Sequence, residues 1–198
     1  MRIIVIAKSR RPTKKSTWNA APDDTWSVPP AAFVIAAVMV RPGSSGFVGR
    51  GPLPSSPPEP QSVPGGRRAF AVIWTTTPWT LPANLAIAVN RAQEYVALAR
   101  GQEVYVVARA LMGDVLGLFP DRDHTVLASV SGDKLVGHGF RHPWIAREGK
   151  IAAAEFVGVD QGTGLVHIAP GHGEEDYELG KSLGLKIYNP GDDAGRFV

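Results

Sequence analysis

Three consecutive threonines stand where an extended segment meets a proline. The stretch "IWTTTPWTLPAN", residues 73–84, places Thr75, Thr76 and Thr77 directly before Pro78. A hydroxyl offers one donor and two acceptor lone pairs, so hydroxyls at a strand end can hold a water molecule or a substrate oxygen. Pro78 fixes its own φ and favours extended geometry at the residue before it, which keeps the threonine backbone rigid. Taken alone, the stretch is more simply an edge strand that runs into a turn, with threonine chosen for its β propensity.

A second stretch combines glycines, histidines and acids. The segment "GTGLVHIAPGHGEEDY", residues 162–177, leads from a predicted strand into a turn around Gly171 and then into a helix start. Glycine permits close approach of the backbone, and N–H groups at a helix start can receive an anion or an ester oxygen. Asp176 lies in the first turn of this helix and can pair with an ammonium group if it faces a cleft. Acids in a first turn also simply complement the helix dipole, which is the more common reason for them.

Two histidines, His167 and His172, lie on either side of the predicted strand end. Their separation is not a known metal-ligand spacing, and the chain has neither an HExxH motif nor a cysteine, so we expect no metal site. A histidine at a strand end that lines a pocket, as a size gate or a hydrogen-bond donor, is the favoured interpretation. The remaining histidines, His124, His138 and His142, are expected to be surface or structural residues.

Several function classes are excluded by missing motifs. The chain has no P-loop, no G-x-G-x-x-G opening a helix after a strand, and no G-x-S-x-G. The absence of cysteine excludes disulfides, thiolate zinc sites and a cysteine nucleophile. The longest apolar run, residues 31–40, is about half of the ~20 residues that cross a bilayer, and it lies too far from the start for a signal peptide.

The elements that must position the candidate residues begin near residue 69. Residues 1–68 carry ten Lys/Arg against three Asp/Glu, a balance of +7, whereas residues 69–198 carry eleven against fifteen, a balance of −4. Eleven of the 17 prolines fall within residues 1–66, which show no usable periodicity. We therefore predict a disordered Pro/Gly/Arg-rich leader over residues 1–68 and one folded domain over residues 69–198. The excess positive charge belongs to the leader and does not indicate a nucleic-acid-binding face on the domain.

Short strand-like runs between turn signals dominate the predicted folded domain, residues 69–198. They lie at residues 70–76, 85–89, 95–99, 103–108, 124–130, 151–157 and 164–169. Two helices are predicted between and after them, an apolar stripe over residues 108–119 and an acid-led segment over residues 173–185. This pattern predicts a mixed α+β fold, a largely antiparallel β-barrel with helical excursions.

The two stretches together resemble the editing domain of isoleucyl-tRNA synthetases, the insertion called connective polypeptide 1. The pair is "WTTTPWTLPAN" with "GTGLVHIAPGHGEEDY", and the leucyl and valyl relatives carry a Thr-Thr-Arg-Pro version of the first motif. The segments "GFRHPW" (139–144) and "YNPGDDAGRF" (188–197) also match the family. The likeness covers about residues 69–198 and implies the barrel of a class I synthetase editing domain.

The resemblance also implies roles. Isoleucine and valine differ by one methylene, worth only about 1–3 kcal/mol in a pocket, a limit known from this enzyme family itself. A second site then hydrolyses valine that was loaded by mistake. Asp176 would hold the α-ammonium group of the amino acid, and Thr75, Thr76 and Thr77 would position the ester and the attacking water. The implied substrate-binding residues are Trp74, Trp79, Asn84, His167, Gly171 and His172, with His167 and Trp79 shaping the side-chain pocket.

The departures from the family limit the expected function. The His-Ile-Gly-His and Lys-Met-Ser-Lys-Ser motifs of the synthetic site are missing, and residues 1–68 resemble nothing in the family. We expect a fragment, clipped at its C-terminal end, that edits without activating isoleucine. It would need no cofactor, since ATP and zinc belong to the missing parts. The implied partner is the 3′ end of isoleucine tRNA carrying valine, bound by a cytoplasmic monomer. The alternatives are a binding remnant without turnover and a gene fragment that folds poorly.

Overall fold

The structure is a computed structural model that describes residues 6–8, 33–40, 67–75, 77–119, 123–143 and 145–192. Ten strands are described in these ranges: β1 (Ile6–Lys8), β2 (Phe33–Val40), β3 (Arg68–Thr75), β4 (Ala86–Val89), β5 (Glu94–Arg100), β6 (Glu103–Ala108), β7 (Thr125–Ser131), β8 (Gly139–Arg141), β9 (Glu148–Ala153) and β10 (Leu165–Ile168). The helices in the same ranges are α1 (Met112–Leu116) and α2 (Glu174–Ser182), with 3-10 segments at Pro78–Ala83, Arg109–Leu111 and Gly132–Lys134.

The strands form one curled, mixed sheet. Its order is β1-β2-β8-β9-β4-β10-β3-β6-β5-β7, and β2 also pairs with β3. This additional pairing closes β2, β8, β9, β4, β10 and β3 into a ring, from which β6, β5 and β7 extend as an arm. Seven of the described pairings are antiparallel, whereas β10–β3, β3–β6 and β4–β9 are parallel. The predicted fold, a largely antiparallel barrel with helical excursions, is confirmed.

Two of these strands come from the segment predicted as a disordered leader. Residues 33–40 of the apolar run form β2, which pairs with β3 from Val34 opposite Thr75 to Met39 opposite Phe70. A run of this length and composition suits a strand buried in a sheet, and it is too short for a membrane span. The rest of residues 1–66 lies outside the described residues, so the division at residue 68 stays a prediction.

The central strand β3 separates two parts of the core, because successive side chains of a strand point to opposite faces. Ala71 and Ile73 pack with residues of β4 and β10, such as Ile87 and Leu165. Phe70 and Val72 pack on the other face, against β5, β6 and α1. Thr75 continues the row of Ala71 and Ile73. The core therefore decides to which side the first threonine of the motif points.

The remaining predicted elements differ mainly at their ends. The helix predicted over residues 108–119 is a 3-10 turn followed by the short α1, and the strand predicted over residues 151–157 ends at Ala153. The acid-led helix is present as α2, with three acids in its first turn. Strand β8 is too short, at three residues, to produce a sequence pattern. Within the described ranges, none of the helices has the length and apolar content that crossing a membrane requires.

A glycine just before β10 sets a limit on the packing between β10 and β6. Gly164 has a φ of +76°, and a Cβ placed there would lie 2.3 Å from the Cβ of Ala108. We expect Gly164→Ala to destabilise the domain by about 2–4 kcal/mol, from backbone strain plus overpacking. Gly101→Ala is the matched control, since Gly101 has a φ of +60° and open space around it. Its cost should be about 1 kcal/mol, and equal losses in urea denaturation of the two variants would contradict this account.

Candidate active site

The first candidate motif forms a hydrogen-bonded cluster of hydroxyls around one histidine. The Nε2 atom of His167, on β10, lies 3.3 Å from Thr75 Oγ1 and 3.2 Å from Thr80 Oγ1. Thr77 Oγ1 lies 3.3 Å from each of these two hydroxyl oxygens. Residues 75–80 and residue 167 are far apart in the chain, and the parallel pairing of β3 with β10 brings them together. We call Thr75, Thr77, Thr80 and His167 the threonine–histidine cluster.

The hydrogen bonds of this cluster assign its protons. Thr80 Oγ1 donates to the carbonyl oxygen of Thr77 at 2.8 Å, so its one proton is used and the oxygen accepts from His167. Thr75 Oγ1 already accepts the backbone N–H of Thr77 at 3.0 Å. His167 therefore carries its proton on Nε2 and holds a lone pair on Nδ1. That Nδ1 atom is buried and has no hydrogen-bond partner among the described residues.

His167 is held neutral by its surroundings. Its side chain is almost fully buried, and burial lowers its pKa to about 4, with smaller contributions from the positive charges that His172 and His142 can carry. At neutral pH the imidazole of His167 therefore carries no charge, and its hydrogen bonds keep it in a fixed orientation. Sequence alone predicted a pocket-lining histidine at this strand end, and the structure gives that position a buried, tethered ring.

The acid of the second motif lies beside the end of the same strand. Asp176, in the first turn of α2, accepts the backbone N–H of Ala169 at its Oδ2 atom over 2.8 Å. Ala169 is two residues beyond His167, about 7 Å along an extended backbone. Burial raises the pKa of Asp176, while the hydrogen bond from Ala169 acts in the opposite direction. A nearby cation would favour the ionised form of this carboxyl group.

The turn between β10 and α2 contains the next two candidates. His172 is exposed, and its electrostatic influence reaches both His167 and Asp176. Its backbone N–H closes the turn by donating to the carbonyl of Ala169 at 2.9 Å. At Gly171 a Cβ would lie 2.8 Å from the carbonyl oxygen of Tyr188, so glycine is needed for the backbone packing of this turn. Its predicted contact with substrate stays a prediction.

Asn84 ends the short Pro78–Ala83 helix. Its backbone N–H donates to the carbonyl of Leu81 at 2.9 Å, and its buried amide donates to the carbonyl of Ala86 at 2.9 Å. The Oδ1 atom of Asn84 is buried without a partner among the described residues. Asn84 thus joins the threonine loop to β4.

The other predicted residues lie around the cluster. Trp74 precedes Thr75 on β3 and packs on the opposite face, beside Gly162. Trp79 is 58% exposed on the Pro78–Ala83 helix, so it borders the site from outside rather than filling its interior. Thr76 lies outside the described residues. Thr80 was missed by the sequence reasoning, although its position three residues after Thr77 in the same motif was an available signal.

Several known proteins are similar to part of this chain. No protein-family model matches the chain. It is 44% identical over 146 residues to the isoleucine–tRNA ligase of Aquifex aeolicus, and 47% identical over 134 residues to that of Persephonella marina. These matches cover 67% and 66% of this chain, but only 15% and 14% of the two ligases. The chain thus spans about one seventh of the length of these relatives.

Solved structures with a similar fold include synthetase editing domains. The crystal structure titled GlLeuRS-CP1 matches with a TM-score of 0.53 at 20% identity, covering 59% of this chain and 45% of that one. The editing domain of the P. knowlesi cytosolic leucyl-tRNA synthetase matches with a TM-score of 0.51 at 15% identity, covering 65% and 62%. Over two thirds of its length this chain is similar to one segment of isoleucine–tRNA ligases, and its fold is that of a class I synthetase editing domain.

Proposed function

We propose that the chain hydrolyses the ester bond of valine that has been attached by mistake to isoleucine tRNA. The observation that carries the proposal is the arrangement along β10. This strand holds a buried histidine tied to threonine hydroxyls, and the carboxyl group of Asp176 is hydrogen-bonded to the backbone just beyond it. Hydroxyls, a neutral histidine and a partly buried acid are the groups needed to hold an aminoacyl ester.

Each end of the aminoacyl group has a matching partner in this arrangement. The carboxylate of Asp176 would receive the α-ammonium group, and a charge-assisted hydrogen bond of this kind is about twice as strong as a neutral one. Pairing with the ammonium group would also offset the effect of burial on the pKa of Asp176. The hydroxyls of Thr75 and Thr77 would then face the ester and the water that attacks it.

Selection by size requires a rigid side chain at the boundary of the amino-acid pocket. The ring of His167 is buried on β10 and is held by two hydroxyls. It therefore cannot easily shift to make room for an additional methylene. Forcing one more methylene against a well-packed wall typically costs about 1–3 kcal/mol. Valine would therefore enter the site, and isoleucine would be excluded.

The reaction needs few catalytic groups because an aminoacyl ester is already activated. A water oxygen forms a bond to the ester carbonyl carbon, and the bond from that carbon to the ribose oxygen breaks. The products are free valine and a ribose hydroxyl, which takes up one proton of the water. Positioning of the water and the ester can supply much of the rate. We assign no general base, and ATP and zinc take no part in this step.

The test is a deacylation assay of the purified 198-residue chain with isoleucine tRNA charged with valine. We expect hydrolysis of the valyl ester above the spontaneous rate, and much slower hydrolysis of the isoleucyl ester on the same tRNA. The isoleucyl substrate is the internal control for selection by size. Spontaneous rates with both substrates would contradict the proposal.

A second candidate function is binding without turnover. It is favoured by the small share, 15%, of the Aquifex aeolicus ligase that the chain matches, since the remainder of such an enzyme also has surface with which to hold tRNA. In that case a non-hydrolysable valyl-adenosine analogue would shift the NMR signals of the threonine–histidine cluster, while the deacylation assay would show only the spontaneous rate.

A further inference from the structure

The loop between β8 and β9 contacts the helix that carries the threonines. This loop, residues 142–147, is closed by the backbone N–H of His142, which donates to the carbonyl of Arg147 at 2.9 Å. His142 Nε2 lies 2.8 Å from the carbonyl oxygen of Leu81. One Nη atom of Arg147 donates to the carbonyl of Pro82 at 2.8 Å and to that of Asn84 at 3.0 Å. Three carbonyls at one helix end are thus bound from one loop.

The bound helix is short and has few hydrogen bonds of its own. The Pro78–Ala83 segment is a 3-10 helix of six residues, and the two prolines at its first and fifth positions have no N–H to donate. The last carbonyls of any helix lack partners within it and need donors from elsewhere. The residue that could continue the helix, Leu85, donates its N–H to Ile168 of β10 instead. The donors from the loop therefore add to the bonds of Asn84 and Leu85 that fix this helix end.

Both side chains of the loop are themselves oriented by neighbours. The Nδ1 atom of His142 accepts the backbone N–H of Ile145 at 3.1 Å, which leaves the proton on Nε2 for the bond to Leu81. The guanidinium group of Arg147 stacks on the ring of Tyr188, with 4.8 Å between its Cζ atom and the ring centroid. A planar guanidinium can bridge two carbonyls and stack at the same time, which an ammonium group cannot do.

The helix links this loop to the threonine–histidine cluster. Thr77 is its N-cap, Thr80 lies on it and bonds to His167, and Asn84 is its C-cap. We propose that His142 and Arg147 are positioning residues of the hydrolytic site, which hold the Pro78–Ala83 helix so that Thr80 stays within hydrogen-bond reach of His167 and Thr77 within reach of Thr75 and Thr80. This inference rests on the proposed function for its kinetic consequence, but its structural consequence can be measured without turnover.

The kinetic test compares substitutions of Arg147 in the full chain. Arg147→Met keeps most of the side-chain stem and removes every donor, so we expect kcat for the valyl ester to fall about 10²-fold, as for an ångström-scale misplacement. KM should change by less than about threefold, because the interactions lost act on the reacting groups. Arg147→Lys should give an intermediate loss of about tenfold. Arg141→Met, at the last residue of β8, is the matched control and should retain the original kcat.

The second test observes the threonine–histidine cluster by NMR. Side-chain nitrogen NMR of the full chain should show His167 with a proton on Nε2 and a bare Nδ1, and Arg147→Met should shift these signals because Thr80 moves away. Unchanged His167 signals together with an unchanged kcat in Arg147→Met would overturn the proposal. If Arg147→Met does not fold, the same two measurements are made on Arg147→Lys. The expected loss of kcat is then about tenfold. If the original chain proves inactive, the proposed function fails, and the NMR comparison alone decides the positioning role.

Discussion

Replacing Asp176 with asparagine should lower the rate of valyl-tRNA deacylation about 10- to 100-fold, the loss expected for one hydrogen bond to a charged group, about 1.5–3 kcal/mol. Asparagine keeps an oxygen that can accept the N–H of Ala169, so α2 should remain attached to the end of β10. It removes the negative charge that would hold the α-ammonium group. The measurement is kcat/KM for the valyl ester at neutral pH.

The matched control for this substitution is Glu178→Gln, which removes one negative charge from an exposed position of the same helix. It changes the net charge of α2 equally and should leave the rate within about twofold, as expected for an exposed charge. Equal effects of Asp176→Asn and Glu178→Gln would show that only the overall charge of the helix matters. That outcome would remove Asp176 from the proposed site.

Acidification should destabilise the domain through the buried His167. Its pKa is near 6.5 when unfolded and is lowered to about 4 in the fold, so between these values the unfolded chain binds the proton and the folded chain does not. The free energy of unfolding should therefore fall as pH falls, by about 2 kcal/mol between pH 7 and pH 5 from this residue. The lowered pKa of His142 acts in the same direction.

Urea denaturation at several pH values measures this effect. His167→Gln should be less sensitive to pH than the original chain by about 2 kcal/mol over the same window. The raised pKa of Asp176 stabilises the folded state as pH falls, but Asp176 is present in both proteins, so its contribution cancels in the difference. His124→Gln, a substitution of an exposed histidine, is the control. If the original chain and His167→Gln depend equally on pH, His167 is not buried in its neutral form.

A strand or helix could be predicted where a local sequence pattern extended over its full length. Runs such as residues 103–108 alternate or concentrate apolar residues over a full strand, so the structure has a strand at those positions. Strand β2 was not predicted, because an apolar run of its length has no periodicity of its own and lies beside proline-rich sequence. Its identity as a strand comes from pairing with β3 and β8, which are distant in the chain.

By itself, the sequence determined most of the candidate residues of the proposed site, although not Thr80. Thr75, Thr77, His167 and Asp176 stand in two short motifs whose residue types already indicated hydroxyl and carboxyl chemistry at a strand end and a helix start. Only the tertiary structure decided how the threonines meet His167 and where Asp176 is attached. The parallel pairing of β3 with β10 brings Thr75 to His167, and the proton of His167 is placed by Thr80.

The tertiary structure also decided which residues contact the end of the Pro78–Ala83 helix. His142 and Arg147 lie about sixty residues from the carbonyls they bind, and no local pattern marks a residue as the donor for a distant helix end. Local sequence carries propensity, spacing and chemical type, which act within a few residues. Hydrogen bonds between distant segments depend on the sheet order, and that order follows from packing of the whole chain.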